Sequence, residues 1–427
     1  MKKADLLRLK GFYQNELIRN ILGFWLPRCE DRENGGYLNC FDNTGSNLVS
    51  RDKYTWSQGR FLWVFSKLAS TSLPIFTAEE RSNFLRLAKN GRDFLMSHCL
   101  IAEDDVRCVF LMEQNGTAKY VDGYKPLDMS IYADCFVILG MNAYAKATGD
   151  VDAYSFGKKI YKSVLSRIGS GEFYTLPYPL SKKYRAHGIP MIMTNVTQEM
   201  LETASLIDTR YCKELRVHLK AFSEDVLFHF VDENGVIHEV ISADNSPAPG
   251  LLGGHANPGH SIEDMWFQLT AAETLDRKDL IPKIVHIVDK TLEIGWDFEY
   301  GGLLHYVGVN GEPVVSLPIV GGEITEDQVL NGWGDKLWWI HSEALYTTLL
   351  CYFKTGEDRF WQWHETIFNY VFETFPNRDP EIREWKQICC RDGKPQDKVV
   401  ALPVKDPYHI TRNLLLILEM LEKCTAD

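Results

Sequence analysis

Most of the chain consists of segments whose apolar residues recur with the 3.6-residue period of an amphipathic helix. This pattern predicts twelve helices, over residues 3–25, 57–71, 77–98, 128–148, 150–168, 190–206, 208–230, 259–275, 278–295, 338–355, 357–375 and 408–423. Between alternate helices the apolar period falls towards two, and the Gly, Asn and Asp residues typical of tight turns appear. A chain with so many one-sided helices must bury their apolar faces against one another.

Two of the intervening segments are alike: GGYLNCFDNTGSNLV at 35–49 and GGLLHYVGVNGEPVV at 301–315, each predicting a hairpin. Weaker copies occupy 108–121, 230–240 and 384–396. Twelve helices in 427 residues make six pairs of about 71 residues, with a hairpin between pairs. We therefore predict an all-α fold, an (α/α)6 barrel of six inner and six outer helices with short β-hairpins at one mouth. An open solenoid would show closer identity between its repeats.

Length alone suggests two or three domains, but no linker or low-complexity block divides the chain, so we expect a single catalytic domain over 1–427. The net charge of −12, without a Lys/Arg run, argues against nucleic acid or an anionic membrane as partner. No apolar stretch approaches the roughly 18–20 residues of a transmembrane helix, and the N-terminus lacks the apolar core of a signal peptide. The ten cysteines contain no CxxC pair. These features predict a cytoplasmic protein with reduced thiols.

Two segments place a charged or histidine side chain among aromatic residues, where burial is costly unless the group is paired or used. YTWSQGRFLW at 54–63 contains Arg60 near a helix start. HANPGHSIEDMWFQL at 255–269 contains His260 and Glu263. Their i, i+3 spacing puts them on one helical face, where the carboxylate could orient and charge-stabilise the imidazole.

Two further segments have the same character. KLWWIHSEALY at 336–346 puts Glu343 on the helical face of Trp339. DPYHITRNLLL at 406–416 puts His409 and Arg412 on another i, i+3 face.

Other chemistries find less support. A metal site from His255, His260 and Glu263 is disfavoured, because a Pro-Gly break separates the two histidines. The chain has no P-loop, no GxGxxG after a strand and no GxSxG elbow. His341 and His364 are assigned no role.

Taken in order, the segments GGYLNCFD, YTWSQGRFLW, SIYADCFV, NPGHSIEDMW, GWDFEYGGL, KLWWIHSEA and the Tyr-His-x-x-Arg of 408–412 resemble the N-acylglucosamine 2-epimerase superfamily, which includes cellobiose 2-epimerases and mannose isomerases. The resemblance covers most of the chain. It implies an (α/α)6 barrel, in agreement with the repeat count, and a metal-independent isomerase that acts on a carbohydrate.

The resemblance also implies residue roles. His260 and His409 correspond to the catalytic acid/base pair. The residues that correspond to substrate-binding or supporting positions are Arg60, Glu263, Arg412, Glu343, Trp339 and Tyr132. Inverting C2 of an open-chain sugar requires removing a proton from one face and returning one to the other. Histidine, with an unperturbed pKa of about 6.5, suits both steps.

The segment PMIMTNVTQEML at 190–201 bears on the substrate. Relatives that act on disaccharides carry a histidine where this chain places Asn195, and the segment is more similar to the Pro-Met-Met-Leu of the N-acylglucosamine enzymes. We therefore expect interconversion of N-acyl-D-glucosamine and N-acyl-D-mannosamine at a monosaccharide site that includes Asn195. The segment 308–333 looks longer than in those enzymes, and a loop there would lid the pocket.

Alternatives are a glucose/mannose 2-epimerase, a mannose–fructose isomerase, a glycoside hydrolase with paired carboxylates on the same barrel, and a non-catalytic sugar-binding protein. We expect no cofactor, because no glycine-rich nucleotide-binding loop is present, although some family members need a nucleotide activator. The resemblance also implies a homodimer.

Overall fold

The computed structural model describes residues 3–426. Its α-helices are α1 (Lys3–Asn15), α2 (Thr55–Ser70), α3 (Ala78–His98), α4 (Ile131–Thr148), α5 (Val151–Ser170), α6 (Gly188–Ile207), α7 (Cys212–Asp225), α8 (Gly250–Gly254), α9 (Pro258–Thr274), α10 (Ile281–Gly295), α11 (Ile324–Gly332), α12 (Trp338–Thr355), α13 (Asp358–Thr374) and α14 (Tyr408–Ala426). Helix α1 continues through a π-helical stretch, Glu16–Leu22, to Trp25, and α7 through Val226–Phe230. None of these helices combines the length and apolar character needed to cross a membrane.

Helices α2, α4, α6, α9, α12 and α14 form an inner ring, in which each packs against the next and α14 closes against α2. Outside them, α1, α3, α5, α7, α10 and α13 each pack mainly against one inner helix, and α3, α7 and α10 also touch the next one in the ring. The predicted (α/α)6 barrel and its twelve helices are confirmed. The two additional helices, α8 and α11, are short and lie in connecting segments.

Inner and outer helices differ in how much of their circumference is buried. The sequence of α4, IYADCFVILGMNAYAKAT, is buried on nearly all sides, because it lies between the ring and an outer helix. In contrast, α13 buries one stripe, Phe360, His364, Ile367 and Val371, at helical spacing. Start signals are local: Thr77 and Glu80 form a capping box before α3.

Two glycines allow α2 and α4 to pack in close contact. A Cβ at Gly140 would lie 2.6 Å from the backbone oxygen of Gly59, and one at Gly59 would overlap the backbone of Phe136. The approach therefore requires glycine at both positions. It also brings Arg60, the residue after Gly59, against the ring of Phe136 with a distance of 4.1 Å to the ring centroid.

Each of the two similar segments seen in the sequence, 35–49 and 301–315, lies between the aspartate and the lysine of a buried ion pair. Lys53 Nζ lies 2.8 Å from Asp31, and Lys336 Nζ lies 3.1 Å from Asp297. Each ammonium also donates to a carbonyl of the adjoining Gly-Gly pair. Since each lysine stands two residues before an inner helix, the pair ties a mouth turn to the start of α2 or α12.

The strands are shorter than the predicted hairpins and pair differently. They are β1 (Lys53–Tyr54), β2 (Leu111–Met112), β3 (Ala118–Lys119), β4 (Tyr184–Ala186), β5 (Val240–Ser242), β6 (His255–Ala256), β7 (Val307–Gly308), β8 (Lys336–Leu337) and β9 (Ile388–Cys389). Among residues 3–426, β2–β3 is the only ladder within a predicted hairpin, while single antiparallel bridges, Phe41–Leu48, Val231–Ile237 and Cys389–Pro395, close three of the other predicted hairpins. The other antiparallel pairs, β1–β2, β4–β5, β6–β7 and β8–β9, join distant segments, so the strands tie the mouth together across repeats.

The segment 308–333, which was expected to be a loop that lids the pocket, is partly helical. It contains a 3-10 turn, Val314–Ser316, and α11. It packs on residues 177–181, where Gln328 donates to the Pro177 carbonyl at 2.6 Å and Thr325 to the Pro179 carbonyl at 2.9 Å. The segment therefore supports the neighbouring chain around Tyr178.

Candidate active site

The first turns of the inner helices surround a cavity with about 800 Å³ of empty space, including its open mouth. Its lining residues are Trp56, Arg60, Tyr132, Phe136, Tyr178, Gly188, Met191, Ile192, His260, Glu263, Trp338, Trp339, Ala401, His409 and Arg412. Of the nine predicted site residues, seven therefore line one cavity. Of the other two, Glu343 lies behind His409 and bonds to it, and Asn195 lines a different cavity.

His409, near the start of α14, is held by a buried carboxylate. Its Nδ1 lies 2.6 Å from Oε1 of Glu343, which is fully buried on α12. Burial alone would raise the pKa of Glu343, but Arg412 and His409 hold that pKa well below its usual range. An ionised Glu343 accepts the Nδ1 proton of His409, which leaves Nε2 as the nitrogen free for chemistry.

His260 has a partner that the sequence did not indicate. Its Nδ1 lies 2.8 Å from Oε1 of Glu239, the residue before β5. The expected partner, Glu263, instead contacts the guanidinium of Arg412. The expectation of a His260–Glu263 pair was therefore wrong. The i, i+3 spacing puts both residues on one face of the helix. However, Asn257 caps the helix at the His260 amide, and the imidazole is bonded to Glu239, beside β5, and not to Glu263.

Arg412 is buried between two carboxylates. Its Nη2 contacts Glu263 and lies 2.6 Å from Oε1 of Glu343, while Nη1 donates to the Tyr408 hydroxyl at 3.1 Å. Glu263, Glu343 and His409 offer ligand atoms within 4.8 Å of one another, a spacing that could hold a metal ion. A metal would have to displace the Arg412 guanidinium, which already forms ion pairs with both carboxylates.

Arg60 projects from α2 towards His409. Its Nη1 lies 2.9 Å from Oδ2 of Asp406, and its Nη2 lies 3.2 Å from Nε2 of His409. The guanidinium is also packed against the rings of Trp56, Phe136 and Tyr408. These contacts fix a positive charge beside the cavity-facing nitrogen of His409.

Trp339 lies between the two histidines. Its ring centroid is 5.4 Å from that of His260 and 5.4 Å from that of His409. Tyr132 lies across the cavity at the start of α4 and contacts Trp56, with 5.5 Å between ring centroids. An aromatic face beside two imidazoles suits the apolar face of a sugar.

Asn195 is on α6 but one turn too far along the helix to line this cavity. It lines a second cavity at the opposite end of the inner ring, together with Gln198 and Glu199. The α6 residues that do line the histidine cavity are Gly188, Met191 and Ile192.

Three residues of the site were missed by the sequence reasoning: Glu239, Asp406 and Tyr178. Glu239 lies in a segment interpreted only as a weak hairpin, and Asp406 stands three residues before His409. The sequence does contain a signal for Asp406, because an acidic residue just before a helix that begins with Tyr-His is a candidate ion-pair partner for a site residue. Glu239 has no local signal, because its partner is 21 residues away.

The other histidines discussed above are structural. His341 bonds to the backbone of Leu337 and Leu303, and His364 to Tyr13 and the Leu345 carbonyl. Burial lowers the pKa of both imidazoles to about 3. His255 is buried and bonds to the Leu251 carbonyl.

Comparison with known proteins agrees with this geometry. A family model described as N-acylglucosamine 2-epimerase (GlcNAc 2-epimerase) matches residues 36–412. The chain is 28% identical to the N-acylglucosamine 2-epimerase of Bos taurus, over 98% of this chain and 93% of that protein. The cellobiose 2-epimerase of Bacillus thermoamylovorans has the same fold, with a TM-score of 0.75 and 18% identity over 97% and 99% of the two chains. A D-mannose isomerase superposes with a TM-score of 0.74 at 16% identity, over 96% and 98%. The chain belongs to the N-acylglucosamine 2-epimerase family.

Proposed function

We propose that the protein is a sugar 2-epimerase that interconverts N-acyl-D-glucosamine and N-acyl-D-mannosamine. One observation carries the proposal. His260 and His409 each bind a carboxylate through Nδ1, and both line one cavity beside Arg60. This arrangement provides two imidazole Nε2 atoms and one fixed cation in the same space, which is what inversion at a carbon next to a carbonyl requires.

The reaction begins from the open-chain sugar, in which C2–H is adjacent to the C1 aldehyde. One neutral imidazole takes the C2 proton on its Nε2, and the C–H electrons move through C1 to the aldehyde oxygen to give an enolate whose C2 carries the acylamino group. Arg60 stabilises the negative oxygen. The other histidine, protonated, returns its proton to the opposite face of C2 and restores the aldehyde. The two histidines exchange roles when the reaction runs in reverse.

The carboxylates set the tautomers. An ionised Glu239 or Glu343 can only accept, so each bonded Nδ1 carries a proton and each Nε2 is the atom that changes protonation. The positive charge at the site comes from Arg60 and Arg412, and the proposed reaction needs no metal or redox cofactor. We also propose that no nucleotide takes part in the chemical step.

The α6 wall supports an N-acyl sugar. Met191 and Ile192 present apolar side chains to the cavity, a surface suited to the methyl of an acyl group. Asn195 has no part in the proposal, because it lines a different cavity. A free hexose offers nothing comparable to bury against Met191 and Ile192.

Glycoside hydrolysis is a poorer fit to the carboxylates. It needs a protonated carboxyl and an ionised one on either side of the scissile bond. Of the carboxylates beside the histidines, Glu263 and Glu343 are both in contact with Arg412, and Glu239 is bonded to His260. Each of the three is therefore already paired and is not free to act on a glycosidic oxygen.

Proton NMR in heavy water tests the function on N-acetylmannosamine, mannose, glucose, fructose and cellobiose. We expect loss of the C2 proton signal and appearance of the C2 epimer, fastest with N-acetylmannosamine. A ketose product would mean that the proton returns to C1 and that the protein is an isomerase. Glycoside cleavage or an absence of C2 exchange with every sugar would contradict the proposal.

We further propose a cytoplasmic location and a homodimer. All ten cysteines are free thiols, and most are buried, as expected in a reducing compartment. The homodimer is implied by the family, and sedimentation equilibrium of the purified chain tests it: a monomer at micromolar concentration would contradict it.

A further inference from the structure

Four ionisable side chains alternate in sign next to the cavity. Antiparallel pairing of β4 with β5 puts His187 beside Glu239, and the His187 amide donates to the Glu239 carbonyl at 2.9 Å. Helix α9 supplies His260 and, one turn later, Asp264. Glu239 contacts His260 through Oε1 at 2.8 Å, and its Oε2 lies 3.6 Å from Nδ1 of His187. Nε2 of His187 lies 2.7 Å from Asp264.

The positions of the two carboxylates determine the protonation state of His187. A neutral imidazole carries one N–H, so one of its nitrogens would direct a lone pair at a carboxylate oxygen. The doubly protonated ring donates to Asp264 at hydrogen-bond distance and presents its second N–H to Glu239 at 3.6 Å, which is an ionic contact and not a hydrogen bond. His187 Nδ1 and Glu239 Oε2 have no hydrogen-bond partner among residues 3–426, so no other group competes for this contact.

The surroundings favour the same state. Burial alone would lower the pKa of His187, but Asp264 and Glu239 raise it to about 9. The aromatic ring packed against His187 is that of Phe230, with 5.8 Å between the ring centroids. Arg185 of β4, whose guanidinium lies over the ring of Phe230, is paired with Asp225. The titratable groups that face Glu239 besides the two histidines are Tyr132, Tyr178, Tyr306, His255 and His305.

We propose that His187 is a positioning residue for the epimerase: a buried imidazolium, held by Asp264, that shares the charge of Glu239 and thereby sets how strongly Glu239 favours the protonated form of His260. This inference rests on the proposed function, in which His260 alternates between acid and base. Without His187, Glu239 would act on His260 alone and would favour its protonated form more strongly. With His187 in place, Glu239 still orients His260, but its charge is shared between two imidazoles.

Opposite shifts in the pH profile follow. Glu239→Gln removes a negative charge beside His260, so the kcat/KM limb that reports His260 moves to lower pH. His187→Gln removes a positive charge, so the same limb moves to higher pH. Asp264→Asn weakens the hold on the His187 proton and moves the limb in the direction of His187→Gln. We expect shifts of about 0.5–1 pH unit.

The limb is the acidic one when His260 removes the C2 proton and the basic one when it donates, so both reaction directions are measured. His364→Asn is the matched control, because it removes another fully buried histidine from an outer helix, and it should leave both limbs in place. A loss of rigidity alone would lower the rate in all variants without moving the limbs in opposite directions. Shifts of the same sign in Glu239→Gln and His187→Gln would overturn the proposal.

Nitrogen NMR of the unmodified protein, with ¹⁵N-labelled histidine, gives an answer that needs neither activity nor a variant that folds. His187 is assigned through its contact with Phe230. We expect both ring nitrogens of His187 to be protonated from pH 6 to 8, and a neutral ring at pH 7 would overturn the proposal. If the protein shows no C2 exchange while His187 is charged, the proposed function fails and the protonation of His187 stands.

Discussion

Nη2 of Arg60 lies 3.2 Å from Nε2 of His409, the imidazole nitrogen that faces the cavity. The guanidinium donates, so in the absence of substrate it occupies the lone pair that serves as base. Asp406 holds the other end of the guanidinium at 2.9 Å. A substrate carbonyl oxygen that binds Arg60 would therefore release His409 at the moment the base is needed.

Replacing Arg60 should remove both effects of that contact. Arg60→Met should lower kcat for C2 epimerisation by about 10²–10³-fold, the usual loss on removing an oxyanion donor. The measurement is the rate of epimer formation by NMR. Arg107→Met is the matched control, because Arg107 pairs with Asp105 and Asp128 away from the cavity. A loss below fivefold would mean that Arg60 does not stabilise the enolate.

Single-histidine variants should separate the two faces of C2. In His260→Asn or His409→Asn, one base remains, and it can remove and return a proton on one face only. Each variant should lose epimerisation by at least about 10³-fold, yet still exchange the C2 proton of one epimer with heavy water. The two variants should differ in which epimer exchanges. Near-normal epimerisation in either variant would contradict the assignment.

The sequence allowed the helices of this fold to be predicted because each depends on local information. Apolar period, capping residues such as Thr77 and the glycines that end helices lie within the segment that they define. The strand pairs could not be predicted in the same way. β6 pairs with β7 some fifty residues along the chain, and two-residue strands have no periodicity to detect.

The site residues also divide into those that local sequence identifies and those that it does not. His260, His409, Arg60 and Trp339 are recognisable because each lies in a motif on an inner helix, and the ring brings the helix starts together. The partner of His260 was misassigned to Glu263, because helical spacing gives the face of a side chain and not its contacts. Glu239 reaches His260 only through the β4–β5 ladder. Asn195 lies one helical turn, about 5.4 Å, beyond Met191, which is enough to move its side chain out of the histidine cavity and into the next cavity, with Arg412 lining both.

The apolar α6 wall should contribute to specificity for the acyl group. Met191→Ala should lower kcat/KM for N-acetylmannosamine about 3–5-fold relative to mannose, as expected for losing the contact of about one methyl group. The ratio of the two rates is measured, so a change in the amount of folded enzyme cancels. Met193→Ala, on the same helix but facing Cys135, should leave the ratio unchanged. An unchanged ratio in Met191→Ala would place the acyl group elsewhere.

The buried histidines predict opposite effects of pH on stability. His187 has a folded pKa of about 9 against about 6.5 when unfolded, so its stabilisation is complete below pH 6.5 and is lost as the pH rises through 9. Burial lowers the pKa of His364 to about 3, so its protonation favours unfolding and stability falls as the pH drops below 6.5. Urea unfolding from pH 5 to 9.5 measures both. The advantage of the wild type over His187→Gln should shrink at high pH, and that over His364→Asn at low pH. Parallel trends would contradict both assignments.

The Lys336–Asp297 pair should be important for stability, since both side chains are buried and the ammonium also binds the carbonyls of Gly301 and Gly302. Lys336→Met leaves Asp297 with Arg391 as its one cation among residues 3–426, so we expect a loss of about 3 kcal/mol in the free energy of unfolding, at the low end for breaking a buried pair. Urea unfolding at pH 7 gives the value. Lys394→Met breaks an exposed pair with Asp392 and should leave the free energy of unfolding nearly unchanged. Equal losses in the two variants would mean that the repeated Asp–Lys pair contributes no more to the fold than a surface contact does.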